Sequence, residues 1–267
     1  MTNALLRRGT IALFRRMASL LPFNIAMAIA RELLSRQGFG DSAMIADSGE
    51  LAVIDLLAGE DSPTLFDVGG HLGEYTAAFI RRFPHGRSFV FEPSVAHTRL
   101  LRERLGAQQN VTVMLMALAA AAGEATLYKD DVITGLASLT RRRLDHFGIS
   151  MNLEERVALS TVDEVRAAQA VEFIDLMKID VEGGELDVLR GGRQAFADGA
   201  VGMVQFEFGG CNLDSRTNLK DFYQFFGECG FTLHIVQPSG RIHPLGRYDE
   251  MYEQFRTTNY LALPAGG

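Results

Sequence analysis

Two short stretches of the chain gather side chains that can move a proton. In "KIDVEGGE", residues 178–185, Lys178, Asp180, Glu182 and Glu185 surround the end of an apolar run. In "VQFEFGG", residues 204–210, Glu207 ends a second such run and is followed by Gly209 and Gly210. Period-two alternation sends Lys178, Asp180 and Glu182 to one side for as long as the strand lasts. Acids at the end of a buried strand are costly unless used or paired, and Lys178 is a candidate partner. Asp180, Glu182 and Glu207 could each serve as a general base, orient a hydroxyl, or help hold a divalent cation that acidifies one. The plainer alternative has Asp180 capping the turn, Glu182 capping the next helix and Glu207 paired with an arginine. Gly183 and Gly184 would admit an acceptor, and Ser138 and Asn212 could orient it. The basic triplet Arg141–Arg143 either attracts an anionic acceptor or is a solvated face.

A third stretch, "LFDVGGHLGEYT" at residues 65–76, has a different chemistry. Gly69, Gly70 and Gly73 follow an apolar run and precede a helical pattern. Such a turn lets a ligand lie against the backbone at a helix N-terminus. Tight strand–helix packing is the alternative. The glycine order is G-G-x-x-G, not the G-x-G-x-x-G of dinucleotide sites, and Asp67 stands two residues before it. An acid there would repel a pyrophosphate but not a cation. S-adenosylmethionine carries a sulfonium and an amino group and no phosphate. Glu92, in "SFVFEPS", lies about twenty residues further on, where a carboxylate can accept from ribose hydroxyls. His71 could touch the ligand, act as a base or simply complete the turn. His97 is expected on the solvent face of the following helix, and His146 and His234 have no clear context.

The elements that must position these residues alternate. Strand-like runs are expected at 64–70, 88–93, 111–119, 124–129, 173–183, 201–208, 231–237 and 259–264. Helical patterns fill 74–83, 96–107, the stretch after 184 and 218–230. This alternation implies βαβ units and a doubly wound α/β fold with a mostly parallel sheet. The last two strands are expected to form an antiparallel edge. Residues 130–160 break the pattern and are expected to form a substrate-site insertion or lid.

The motifs "LFDVGGHLGEYT", "FVFEPS", "ALAAAAGEATLY", "LMKIDVEGGELDVLRGG" and "NYLAL" resemble the FkbM family of S-adenosylmethionine-dependent methyltransferases. The resemblance covers roughly residues 60–264, and its most specific part is "KIDVEGGELDVLRG". His71 stands where the family usually has asparagine, and the alanine-rich stretch after residue 116 stands where it is usually rich in Ser and Asp. The resemblance implies a class I, Rossmann-like, seven-stranded methyltransferase domain, placed at residues 51–267; the different composition of the N-terminus marks residues 1–50 as a helical extension. It implies a cofactor site of Asp67, Gly69, Gly70, His71, Gly73, Tyr75, Thr76, Glu92, Pro93, Ala117 and Asp180. It implies O-methylation of a small-molecule or glycan acceptor, as in polysaccharide or natural-product biosynthesis. A divalent cation is compatible but not implied.

Composition narrows the field. The net charge of −7 argues against sequence-independent nucleic-acid binding. Cys211 and Cys229 have no metal-ligand spacing and fit a reducing, cytoplasmic setting. The first 38 residues differ, with Arg7, Arg8, Arg15, Arg16, Arg31 and Arg36 against Glu32 alone. Leu5, Leu6, Ile11, Leu13, Phe14, Met17, Leu20 and Leu21 recur at roughly helical spacing before Pro22. This segment packs on the domain or a partner subunit, or lies on the inner face of a membrane. Its arginine-broken apolar run argues against a cleaved signal. A homo-oligomer is left open. The competing functions are a nicotinamide-dependent oxidoreductase and a non-catalytic, membrane-docked binding module. The first lacks a visible hydride-transfer site; the intact acids argue against the second.

Overall fold

The computed structural model describes residues 15–16, 18–40, 45 and 47–266. Most of the proposed N-terminal amphipathic stretch, residues 1–14 and 17, lies outside them. The elements run α1 (Phe23–Arg36), α2 (Leu51–Asp55), β1 (Thr64–Val68), α3 (Glu74–Arg82), β2 (Arg87–Phe91), α4 (Val95–Leu105) and β3 (Val111–Met114). They continue with β4 (Ala117–Leu118), β5 (Gly123–Lys129), β6 (Leu153–Ser160), α5 (Val162–Ala168) and β7 (Ile174–Ile179). Then follow α6 (Glu185–Arg190), α7 (Arg193–Ala197), β8 (Val201–Phe208), α8 (Cys211–Ser215), α9 (Leu219–Glu228), β9 (Phe231–Val236), β10 (Ile242–Pro244) and β11 (Thr258–Pro264).

The main sheet has the order β10-β9-β11-β8-β7-β1-β2-β3. Pairings among β8, β7, β1, β2 and β3 are parallel, and β11 is antiparallel to both β8 and β9. Strand order therefore reverses at β1, with β2 on one side and β7 on the other. This is the doubly wound α/β class that the alternation predicts. The sheet has eight strands rather than seven, because the three-residue β10 adds an outer edge. β11 inserts between β8 and β9, so the chain's last strand is internal to the sheet.

Period two decides which face each strand residue serves. Phe66, Val68, Met177 and Ile179 point into one core with Leu186, Leu189, Phe222 and Phe226. Leu65 and Leu176 point into the other, with Val53, Phe79 and Ile80. Both faces are covered, which is why these strands read as nearly unbroken apolar runs.

Three boundaries move. Residues 111–119 are two strands, not one: β3 stays in the main sheet while β4 pairs with β6 in a separate three-stranded sheet. The run after Glu185 is two short helices broken at Gly191 and Gly192, where a Cβ on Gly191 would sit 2.1 Å from the Ala119 carbonyl. The last third of 130–160 is β6, antiparallel to β5, so the irregular segment ends near residue 152.

Candidate active site

A cavity of about 560 Å³ opens at the carboxyl ends of β1, β2, β7 and β8, beside the point where strand order reverses. Of the residues expected to hold a cofactor, Gly69, His71, Glu92, Pro93, Ala117 and Asp180 line it. Glu182, Gly183 and Glu207 line its other half. Thr134, Leu136 and Thr140 of the irregular segment contribute a further wall.

Gly69 shows why the turn is built of glycine. Its φ is +87°, and a Cβ there would lie 1.8 Å from the Asp180 carbonyl oxygen. Gly69→Ala is expected to cost at least ~2 kcal/mol of stability, read by urea unfolding. Gly59→Ala, where a Cβ meets nothing within 4 Å, is expected to be neutral.

Asp67, Gly70, Gly73, Tyr75 and Thr76 do not line the cavity; they build the floor beneath it. Asp67 is fully buried and accepts from the Thr76 hydroxyl at 2.6 Å. The Tyr75 hydroxyl donates to Gln205 at 2.7 Å, and Gln205 donates to Glu50 at 3.0 Å. The acids that line the cavity are instead Glu92, Asp180, Glu182, Glu207 and Asp187, the last accepting from Arg190 at 2.8 Å.

Glu92 is held by two backbone N–H groups, from His71 at 3.0 Å on one oxygen and from Ser94 at 2.9 Å on the other. Each oxygen keeps a lone pair for a ligand. Burial raises its pKa to about 7, against the lowering effect of those two donors. His97 is the residue that sequence reasoning missed. It is 1% exposed, not on a solvent face, and lines the cavity. Its Nδ1 is 3.9 Å from Glu92 Oε1, its ring is 4.8 Å from that of His71, and neither nitrogen has a hydrogen-bond partner among the described residues. Burial, with the nearby His71 and Lys129, lowers its pKa to about 4, so the ring is neutral and offers one donor and one acceptor. The missed signal is position: residue 97 falls in the first turn of the helix leaving β2, beside the strand end.

The acidic half is organised by two cations. Lys178 donates to Asp180 at 3.1 Å, the pair suggested by the alternation. Burial opposes its charge, but Asp180, Asp67 and Glu50 outweigh burial and raise its pKa. Arg142 donates to Glu182 and also lies 3.9 Å from Asp214. Within the basic triplet the site residue is therefore Arg142. Arg141 does not reach the cavity; it is 60% exposed, near Glu154 and over the Tyr128 ring. Ser138 and Asn212 also stand outside the lining. Ser138 donates to the Glu182 carbonyl at 2.7 Å, and Asn212 bridges Gly209, Glu185 and Thr217. The capping role belongs to Glu185, which accepts from Gly183 N–H at 2.9 Å and Val181 N–H at 3.3 Å.

That arrangement frees Asp180, Glu182 and Glu207 to converge. One carboxylate oxygen from each lies within 4.8 Å of the others, a spacing that could also hold a cation. Glu182 sits at φ 56° and His71 at φ 45°, so left-handed non-glycine residues flank the cavity on both sides. Burial raises the Glu182 pKa, Asp180 adds to the rise, and Arg142 opposes it. Glu207 has no hydrogen-bond partner among the described residues. Burial and then Asp180, Glu182 and Glu185 raise its pKa well above the ordinary carboxylate range.

These raised acids carry a stability signature. Glu92 and Glu185, each with a pKa near 7, bind protons in the folded state that the unfolded chain releases above about pH 4.5. Their stabilising contribution is full below that point and lost as pH rises through 7. The ligand-free protein is expected to lose of order 5 kcal/mol between pH 5 and pH 8, seen as a falling Tm.

Comparison with known proteins gives a family. The profile of the methyltransferase FkbM domain matches residues 67–233. "Methyltransferase 1" of Beauveria bassiana (strain ARSEF 2860) is 25% identical over 146 residues, covering 49% of this chain and 59% of that protein. "Methyltransferase sdnD" of Sordaria araneosa is 26% identical over 158 residues, covering 49% and 60%. The alignments thus span about three-fifths of each curated relative. Among solved structures, precorrin-6y C5,15-methyltransferase from Geobacter metallireducens GS-15 superposes with TM-score 0.46 at 12% identity, over 86% of this chain and 96% of that one. The O-methyltransferase TomG from Streptomyces achromogenes superposes with TM-score 0.44 at 13% identity, over 82% and 81%. With its domain profile spanning most of the chain and the cavity, the protein belongs to the FkbM methyltransferase domain family.

Proposed function

We propose that the protein is an S-adenosylmethionine-dependent O-methyltransferase acting on a hydroxyl of a sugar, glycan or other natural-product acceptor. The observation that carries this reading is the convergence of Asp180, Glu182 and Glu207 in the same cavity as the open lone pairs of Glu92. The residues present fit the cofactor. Glu92 and the unpartnered nitrogens of His97 suit ribose hydroxyls, and the Gly69 backbone leaves the strand end open. When bound, S-adenosylmethionine supplies an electrophilic methyl group. The chain's part is to align an oxygen with it and take the oxygen's proton.

Glu182 is the base in this account. Asp180 is tied to Lys178, and burial with Asp180, Glu182 and Glu185 raises the Glu207 pKa well above the ordinary carboxylate range, Lys178 opposing that rise. Arg142 opposes the rise of the Glu182 pKa without cancelling it, and the carboxyl is pushed up to about 8. Because the Glu182 pKa is raised, its base form grows as pH climbs. The rate is expected to rise with pH along a limb centred near 8, not at the 4 to 5 of an ordinary carboxyl. Arg142→Ala is expected to move that limb upward.

The same three acids have cation-ligand spacing, but Lys178 and Arg142 already neutralise two of them. A chelator is therefore expected to leave the rate unchanged. His97→Ala is expected to weaken cofactor binding about 5- to 50-fold, the worth of one or two hydrogen bonds, measured calorimetrically. The test of the whole reading is transfer of a labelled methyl group from S-adenosylmethionine to a panel of glycosides and phenols. Label recovered as a methyl ether supports it; label on nitrogen or carbon alone contradicts it.

A further inference from the structure

We infer that the N-terminal helix docks this protein onto an anionic lipid surface and turns the cavity edge of the sheet toward that surface. Helix α1 has no buried residue. Leu20 and Phe23 are each 81% exposed, and Ile25, Met27, Ile29 and Leu33 are about half exposed. Only Leu34, in the last turn, packs against the core. An apolar face that folding leaves in water marks an interaction surface. At 3.6 residues per turn, Phe23, Met27, Leu33, Ile29 and Ile25 share one broad arc, while Asn24, Ser35 and Glu32 take the other. Arg31 borders that arc, where its stem can lie on lipid with the charge in the headgroups, and Arg36 at the end of the helix donates to Glu32 at 2.8 Å.

Charge selects the lipid. Six arginines and one glutamate occupy the first 38 residues, yet the whole chain carries −7. The body is thus more acidic than the total, and an anionic surface would repel it while attracting the extension. Each basic residue near such a surface adds to the attraction. At 14 residues α1 lies in the interface rather than across it. No helix among the described residues is long and apolar enough to span a membrane.

The attachment point sets the orientation. Gln237 donates to Gln37 at 3.0 Å at the carboxyl end of β9. β9 runs parallel to β8, since both are antiparallel to β11. α1 therefore leaves from the same sheet edge on which the cavity opens. Phe39 stacks on Tyr252 at 6.3 Å, and Arg256 donates to the Gly40 carbonyl at 3.3 Å, one residue before the cavity-lining Thr257. A helix lying in the interface would hold the cavity mouth close to it. Resting on the proposed methyl transfer, this implies an acceptor presented at the interface, such as a lipid-linked hydroxyl compound.

The test is flotation of the full chain with vesicles of phosphatidylcholine alone and of phosphatidylcholine mixed with phosphatidylglycerol. Binding to the anionic vesicles, weakened by salt and at least tenfold weaker in Ile25→Asp/Ile29→Asp with unchanged Tm, is expected. Labelling Leu213→Cys at the cavity edge and Asp61→Cys at the opposite edge with an environment-sensitive fluorophore reads the orientation. A shift at 213 and none at 61 is expected; the reverse overturns the orientation. Equal binding to both vesicle types overturns the charge argument. A lipid-free dimer that the double variant dissociates, without vesicle binding, would assign the face to a second copy of the chain. Flotation needs no cofactor or acceptor, so its failure and the failure of methyl transfer are separately visible.

Discussion

Glu182→Gln is expected to lower kcat about 100- to 10,000-fold, the range for removal of a positioned general base. The substitution keeps the side chain's size, so the cavity wall and the backbone at φ 56° remain. The dissociation constant for S-adenosylhomocysteine should stay within about twofold, because the proposed reading puts Glu182 in the acceptor half and gives the ribose to Glu92; that twofold is below about 0.5 kcal/mol. The distinguishing readout is the pH profile. In the wild type the rate is expected to climb as the raised Glu182 carboxyl ionises. In the variant the residual rate loses that limb. Asp180→Asn has a different consequence, since it removes the ion-pair partner of the buried Lys178 ammonium, leaving it only the charges of Asp67 and Glu50, and so costs stability as well as rate. If Glu182→Gln keeps both its rate and its limb, the base is elsewhere in the triad.

Glu92→Ala is expected to raise the dissociation constant for S-adenosylhomocysteine about 100- to 1,000-fold. Hydrogen bonds to a charged acceptor contribute roughly 1.5–3 kcal/mol each, and Glu92 has a free lone pair on each oxygen. The His71 and Ser94 N–H groups would also lose their acceptor, adding strain to a turn already at φ 45°. The wild-type carboxyl has a pKa of about 7 when empty, so ligand binding should tighten between pH 6 and pH 8 as the stronger acceptor forms. Calorimetry at the two pH values checks the sign. Equal affinity at both would mean that Glu92 does not hold the ligand.

The legible parts of this molecule were those that local pattern controls. Strand runs such as "TLFDV" are buried on both faces and announce themselves, and the doubly wound order follows from their alternation with helices. The Lys178–Asp180 pair was legible because two residues on one strand must share a face. The failures have one cause, which is that long-range contacts choose among local equivalents. Arg141 and Arg142 are indistinguishable in sequence, yet only Arg142 meets Glu182, forty positions away. Asp67 and Glu92 both end strands, but Thr76 captures Asp67 beneath the turn while Glu92 stays open. Ser138 and Asn212 looked like ligand contacts and instead brace the backbone that carries Glu182, Glu185 and Gly209. Glu50, which adds to the charge around Lys178, carried no motif at all.

The central claim is that this cavity takes S-adenosylmethionine through Glu92 and the glycine turn. Titrating the purified protein calorimetrically with S-adenosylmethionine, S-adenosylhomocysteine and NAD tests it most directly. Saturable one-to-one binding of the first two, with no heat from NAD, is the predicted result. Binding of NAD in place of the sulfur compounds would contradict the account and return the acids at 180, 182 and 207 to a different chemistry.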